Sequence, residues 1–117
     1  MTKQDEEEMR ELREFHLAMK NAKNLMGDRT FFLLSVAMIE LATLMDRGLS
    51  FSDLNEEARE FLSSSSRLLG QGTYGVLWRA HRNRDRIDAL VEKHVARVEI
   101  SMAAENASGS SDPKFYN

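Results

Sequence analysis

Three groups of residues in this chain have the chemistry to be worth testing as a site: the histidines, a serine run and an arginine cluster. The histidines are His16, His81 and His94. His81 and His94 are thirteen positions apart. On one helix they would lie about 20 Å from each other at 1.5 Å per residue, too far to share a metal. No H-E-x-x-H pattern occurs, and no carboxylate stands at ligand spacing beside either residue. The run Ser63–Ser66 offers hydroxyl nucleophiles, but no base lies near it in sequence and there is no G-x-S-x-G turn. The chain has no cysteine, which removes disulfides, thiolate nucleophiles and Cys-ligated metal centres. A working site needs a base, an orienting group and a pocket together. The expectation is therefore a non-enzyme, with no catalytic residue, no cofactor and no metal ligand.

Gly70-Gln71-Gly72-Thr73-Tyr74-Gly75 matches G-x-G-x-x-G. With Leu69 before it and Val76-Leu77-Trp78-Arg79-Ala80 after it, the segment resembles the glycine-rich loop of protein kinases, which covers ATP phosphates from between two strands. Lys93 is the one loose counterpart of the strand lysine. The rest of the pattern is missing. There is no H-R-D or D-F-G sequence, and only 42 residues come after Gly75. A dinucleotide fingerprint would have to come after a strand, whereas a helical pattern precedes this one. The reading is a helix–helix connection whose glycines permit positive φ.

Arg79, Arg82, Arg84 and Arg86 cluster within one stretch. Residues 1–58 hold 7 basic and 12 acidic groups, net -5, and residues 59–117 hold 9 and 7, net +2. The cluster is assigned to steering an acidic partner surface, or to pairing with the acidic first helix. A nucleic-acid-associated role through Arg79–Arg86 is the alternative. Against it stand the interleaved Asp85, Asp88 and Glu92 and the overall charge of -3.

The elements that would carry these residues are all helical. Leu12, Phe15, Met19, Ala22 and Met26 recur every three or four positions, so the spacing predicts an amphipathic helix over about 5–26. Gly27 is its expected stop and Asp28 the next cap. From Phe31 to Met45, twelve of the fifteen residues are apolar and cover every face. That marks a fully buried central helix, too short to span a membrane. Ser50-Phe51-Ser52-Asp53 opens a third helix, with Ser50/Asp53 or Ser52/Asn55 as its cap. The third helix continues through the serines because the apolar period resumes in phase at Leu68 and Leu69. A fourth helix, from about 73 to 104, carries Leu77, Ala80, Ile87, Val91, Val95, Val98 and Met102. Thr73–Trp78 is alternatively extended, since Thr, Tyr, Val and Trp favour strands, but helix is preferred because a lone strand would lack a partner. Residues 107–117 read as a disordered tail after a single domain over 1–106. The expected fold is a small all-α four-helix bundle with a long C-terminal helix.

The last helix is too long for the rest. At 1.5 Å per residue it reaches about 45 Å, against about 27 Å for the central one. Either it breaks near Arg84–Arg86, or the first helix covers its distal half, or a second copy does. A homodimer through Leu90, Val91, Val95, Val98 and Met102 is preferred.

In the Leu12–Met26 stripe, the Phe31–Met45 helix and the Tyr74–Met102 helix, the build is similar to small helical bacterial anti-activators. These bind quorum-sensing transcription factors and keep them off DNA. The resemblance implies a protein–protein inhibitor with a transcription regulator as partner. A cytoplasmic setting is the separate expectation from a charged 2–14 stretch without a signal pattern, no membrane span and no cysteine. The first helix would dock through Leu12, Phe15, Met19 and Met26, since Met adapts to irregular partner surfaces. A small enzyme subunit or a structural assembly protein is a further alternative.

Overall fold

We describe residues 2–95 and 103 of a computed structural model. Among these residues every regular element is helical and there is no strand. Three helices are present: α1 (Lys3–Asp46), α2 (Glu56–Arg82) and α3, described over 84–95. A 3-10 turn, Phe51–Asp53, lies between the first two. The all-α expectation holds, and among the described residues α1 and α2 are each two helical arms joined across a kink, at Gly27 and at Gly70.

Each element ends where its sequence carries the chemistry to end it. Thr2 caps α1: its Oγ1 accepts from the Asp5 N–H at 3.0 Å, and the Asp5 carboxylate accepts from the Thr2 N–H at 3.4 Å. Asp5 and Glu6 then place negative charge in the first turn, where the helix dipole favours it. Gly27 interrupts the helix at the expected stop: at φ 85° and ψ 160°, a region open essentially to glycine alone, it leaves helical angles and divides α1 into two arms across a kink. The second arm of α1 stops in a Schellman motif. Leu49 N–H reaches the Leu44 carbonyl at 3.0 Å, Gly48 N–H reaches that of Met45 at 3.0 Å, and Gly48 has φ 83°. The Ser50 N–H donates to Asp53 at 2.8 Å and sets the 3-10 turn. Asn55 then caps α2 by accepting from the Ala58 N–H at 2.8 Å. Arg59 reaches back to the carbonyls of Ser52 and Leu54 and straps the turn.

The G-x-G-x-x-G segment is helical on both sides of a second bend at Gly70, φ 83°. No loop opens there, so no phosphate cradle exists, and Thr73–Trp78 is helix as expected. Ser63–Ser66 is helix too, with Ser65 buried. The long last helix does break, at Asn83, whose N–H and side-chain amide both donate to the Arg79 carbonyl at 3.0 Å.

The chain forms two compact units. The larger covers Glu14–Arg84. Its core is built on Leu34, Met38, Leu62 and Leu77, which are fully buried, with Ala22, Phe31, Leu41, Leu54 and Leu69 around them. Asn21 donates to Thr73 at 2.9 Å and ties the first arm of α1 to α2. The smaller unit joins the chain up to Arg13 with the chain from Asp85 onward. Its described buried residues are Glu8, Met9, Leu12, Ile87, Leu90 and His94. Two intrachain solutions to the length mismatch are thus combined: the last helix breaks, and the start of α1 packs in one unit with α3. The proposed tail, 107–117, lies outside the described residues. No described helix is long and apolar enough to cross a membrane.

The central-helix expectation needs correction. Residues 28–46 bury only one face, through Phe31, Leu34, Ala37, Met38, Leu41 and Ala42. Phe32, Leu33, Val36 and Ile39 on the other side remain 65%, 50%, 46% and 37% exposed. The unit around them supplies α2 and the first arm of α1 as neighbours, which cover one side of the helix.

Candidate functional site

Two features stand out once the side chains are in place. The first is a polar cluster in the smaller unit. Asp5 and Glu8 are three positions apart on α1, so they share a face. Lys93 and His94 come from α3. The His94 Nε2 donates to Glu8 Oε1 at 2.7 Å and lies 3.9 Å from Asp5 Oδ1. The Lys93 ammonium donates to the same Glu8 oxygen at 2.9 Å and approaches Asp5 Oδ1 at 3.3 Å. Gln4 holds the other Glu8 oxygen at 3.1 Å. Glu8 and His94 are buried, at 7% and 3% exposure, while Lys93 is half exposed.

These contacts set the charge states. The His94 hydrogen bond, then that of Lys93, pulls the Glu8 carboxyl down to about 2, against the desolvation that would raise it. Desolvation also pushes Asp5 upward, but the Thr2 hydrogen bond and Lys93 outweigh it, and Asp5 titrates below the usual carboxylate range. Lys93 is raised in return, chiefly by the hydrogen bonds to Glu8 and Asp5. Among the described residues no buried side-chain polar atom lacks a hydrogen-bond partner. One ligand atom each from Asp5, Glu8 and His94 lie within 4.8 Å of one another, so the three can hold a metal ion together.

Sequence spacing missed this cluster because its partners are 86 positions apart, far beyond any local motif. The acidic start of α1 was visible, but not that a buried imidazole would meet it. His81 is partly buried on α2. Its Nδ1 donates to the Leu77 carbonyl at 2.8 Å, and its ring meets the Phe15 ring edge-on at 6.4 Å. His16 is partly buried.

The second feature is the outer face of 28–46. Arg29, Leu33, Val36 and Glu40 keep the i, i+4, i+7, i+11 spacing of one helical stripe, with Phe32 and Ile39 beside it. All six residues are exposed, and among the described residues neither Arg29 nor Glu40 makes an ion pair.

The residues expected to bind a partner lie elsewhere. Leu12 is buried in the smaller unit, and Phe15, Met19 and Met26 pack against the core of the larger one. That stripe is the inner face of α1, since its apolar groups are the ones the chain needs for its own cores. Of the expected dimer residues, Leu90 is buried within its own unit, while Val91 and Val95 are partly exposed. Val98 and Met102 lie outside the described residues. The arginines do not form one free patch. Arg82 pairs with Asp46 at 2.7 Å and Arg86 pairs with Glu11, whereas Arg79 and Arg84 are exposed. No family model, curated protein or solved structure matches the chain, so its chemistry is read from its own residues.

Proposed function

We propose that the chain is a non-enzymatic helical interaction module that works as a self-paired dimer through the outer face of 28–46. The observation that carries this is the exposed stripe Phe32–Leu33–Val36–Ile39, closed at one end by Arg29 and at the other by Glu40. The midpoint of positions 29 and 40 is also the midpoint of 33 and 36. A two-fold axis at that point, with the helices antiparallel, sets Leu33 against Val36 of the second copy. It also sets Arg29 against Glu40 of the second copy, twice over. The face is therefore complementary to itself in both shape class and charge, as an isologous contact requires.

Magnitudes make the association reversible. Burying a large apolar side chain is worth about 1.5–3 kcal/mol, and roughly half of that remains to be gained at half-exposed positions. Four such side chains on each copy supply about 6–12 kcal/mol, against an association cost of about 4–15 kcal/mol. The surplus is at most about 8 kcal/mol, so the contact suits a reversible dimer no tighter than about micromolar.

Sedimentation velocity across a concentration series tests this. The wild-type chain should pass from monomer to dimer. Arg29→Glu should weaken the dimer by about tenfold, since it opposes like charges at two places. The exchange Arg29→Glu/Glu40→Arg should restore it. A chain that stays monomeric at about 100 μM, or an exchange that rescues nothing, overturns self-pairing. A transcription regulator captured on this face by a monomeric chain would be that overturning result in its biological form.

A further inference from the structure

We infer that Asp5, Glu8 and His94 form a binding site for one divalent first-row transition ion, with zinc as the reference ion. In the metal-free chain, the Lys93 ammonium takes the ion's place.

The donor set comes first. It offers one imidazole nitrogen and two carboxylate oxygens, a combination that suits zinc and its neighbours. Calcium and magnesium prefer oxygen ligands throughout. The two carboxylates carry two negative charges, matching a dication. Lys93 supplies a single positive charge.

The geometry is close to what coordination demands. Ligands at about 2.0–2.1 Å from a tetrahedral zinc stand about 3.3 Å apart. In the chain, His94 Nε2 lies 2.7 Å from Glu8 Oε1 and 3.9 Å from Asp5 Oδ1, on either side of that value. Shifts of about half an ångström, within ordinary side-chain adjustment, would bring both to coordination spacing.

The outer contacts point the same way. Each carboxylate has one oxygen turned to the cluster, and its other oxygen is held from behind. Gln4 holds Glu8 Oε2 at 3.1 Å, and the Thr2 N–H holds Asp5 Oδ2 at 3.4 Å. Such holding orients a carboxylate to bind through a single oxygen. Glu8 and His94 are buried and fixed, whereas Lys93 is half exposed on a flexible stem. Exchange then needs Lys93 to swing into water and the proton that His94 Nε2 shares with Glu8 Oε1 to leave to solvent as the nitrogen takes the ion, with water filling the remaining positions. A bound ion would bridge α1 and α3 inside the smaller unit.

Calorimetric titration of the full chain with zinc chloride tests the site, with cobalt(II) absorption as the second readout. The wild-type chain should bind one ion at this site, and cobalt should give the visible bands of a nitrogen–oxygen site without a thiolate charge-transfer band. Asp5→Asn, chosen because its side chain is only partly buried, should weaken binding at least about tenfold with an unchanged circular-dichroism spectrum. Lys93→Met should tighten it by about tenfold, since the competing cation is gone. A cluster that is only an ion-pair network would instead show no uptake in either the wild type or Lys93→Met. That result, or zinc binding indifferent to Asp5→Asn, overturns the assignment.

Discussion

Glu8 is where the acid response of this chain should be strongest. Its carboxyl sits at about 2 in the folded chain, below its ordinary 4.5, because His94 and Lys93 both donate to it. A group lowered by folding stabilises the folded state fully above its unfolded value, and the contribution is lost as pH falls through the folded one. The thermal midpoint should therefore be level above about pH 5 and fall between 4.5 and about 2. Glu8→Gln should lower the plateau and flatten that acid limb. An acid slope identical in the two proteins would show that Glu8 is not responsible. Lys93 has the opposite sign. Raised above 10.5, it contributes fully below that value and loses its contribution as pH rises past its folded pKa. None of this was legible locally. Thr2, Asp5 and Glu8 read as a capped acidic helix start, which they are. That Glu8 is buried under His94 depends on a contact across nearly the whole chain.

At the scale of elements, most of the pattern could be read and the exceptions have physical reasons. The three- and four-residue spacing from Leu12 to Met26 gave a helix and its inner face correctly, but could not say whether that face meets a partner or the chain itself. Gly27 was visible as an interruption. Its departure from helical angles is real, and it divides α1 into two arms whose relative direction the sequence does not carry. The break at Asn83 left little trace, because Arg82-Asn83-Arg84 holds no proline or glycine. Residues 31–45 were apolar on all sides, so sequence could not show which side is covered. Gly27→Ala should cost about 1–3 kcal/mol in denaturant melts, the usual penalty for forcing a side chain into that region. A loss below a few tenths would mean that α1 can straighten through position 27 without harm.

For the molecule as a whole, the two apolar populations should answer mutation differently. Leu77 is fully buried in the core of the larger unit, and Leu77→Ala should cost about 2–5 kcal/mol. Leu33 is half exposed, and Leu33→Asp should leave a folded monomer of nearly unchanged stability while removing self-association. Urea melts run beside sedimentation separate the two outcomes. If Leu33→Asp unfolds the chain, the outer face is part of the fold and not a contact surface.

Gly27, Gly48 and Gly70 adopt nearly one φ, 83–85°, and a Cβ added at any of them would meet nothing within 4 Å. What forbids substitution there is torsion alone and not crowding. The penalty should consequently be in place at the first carbon: alanine alone should already carry it at each of the three positions.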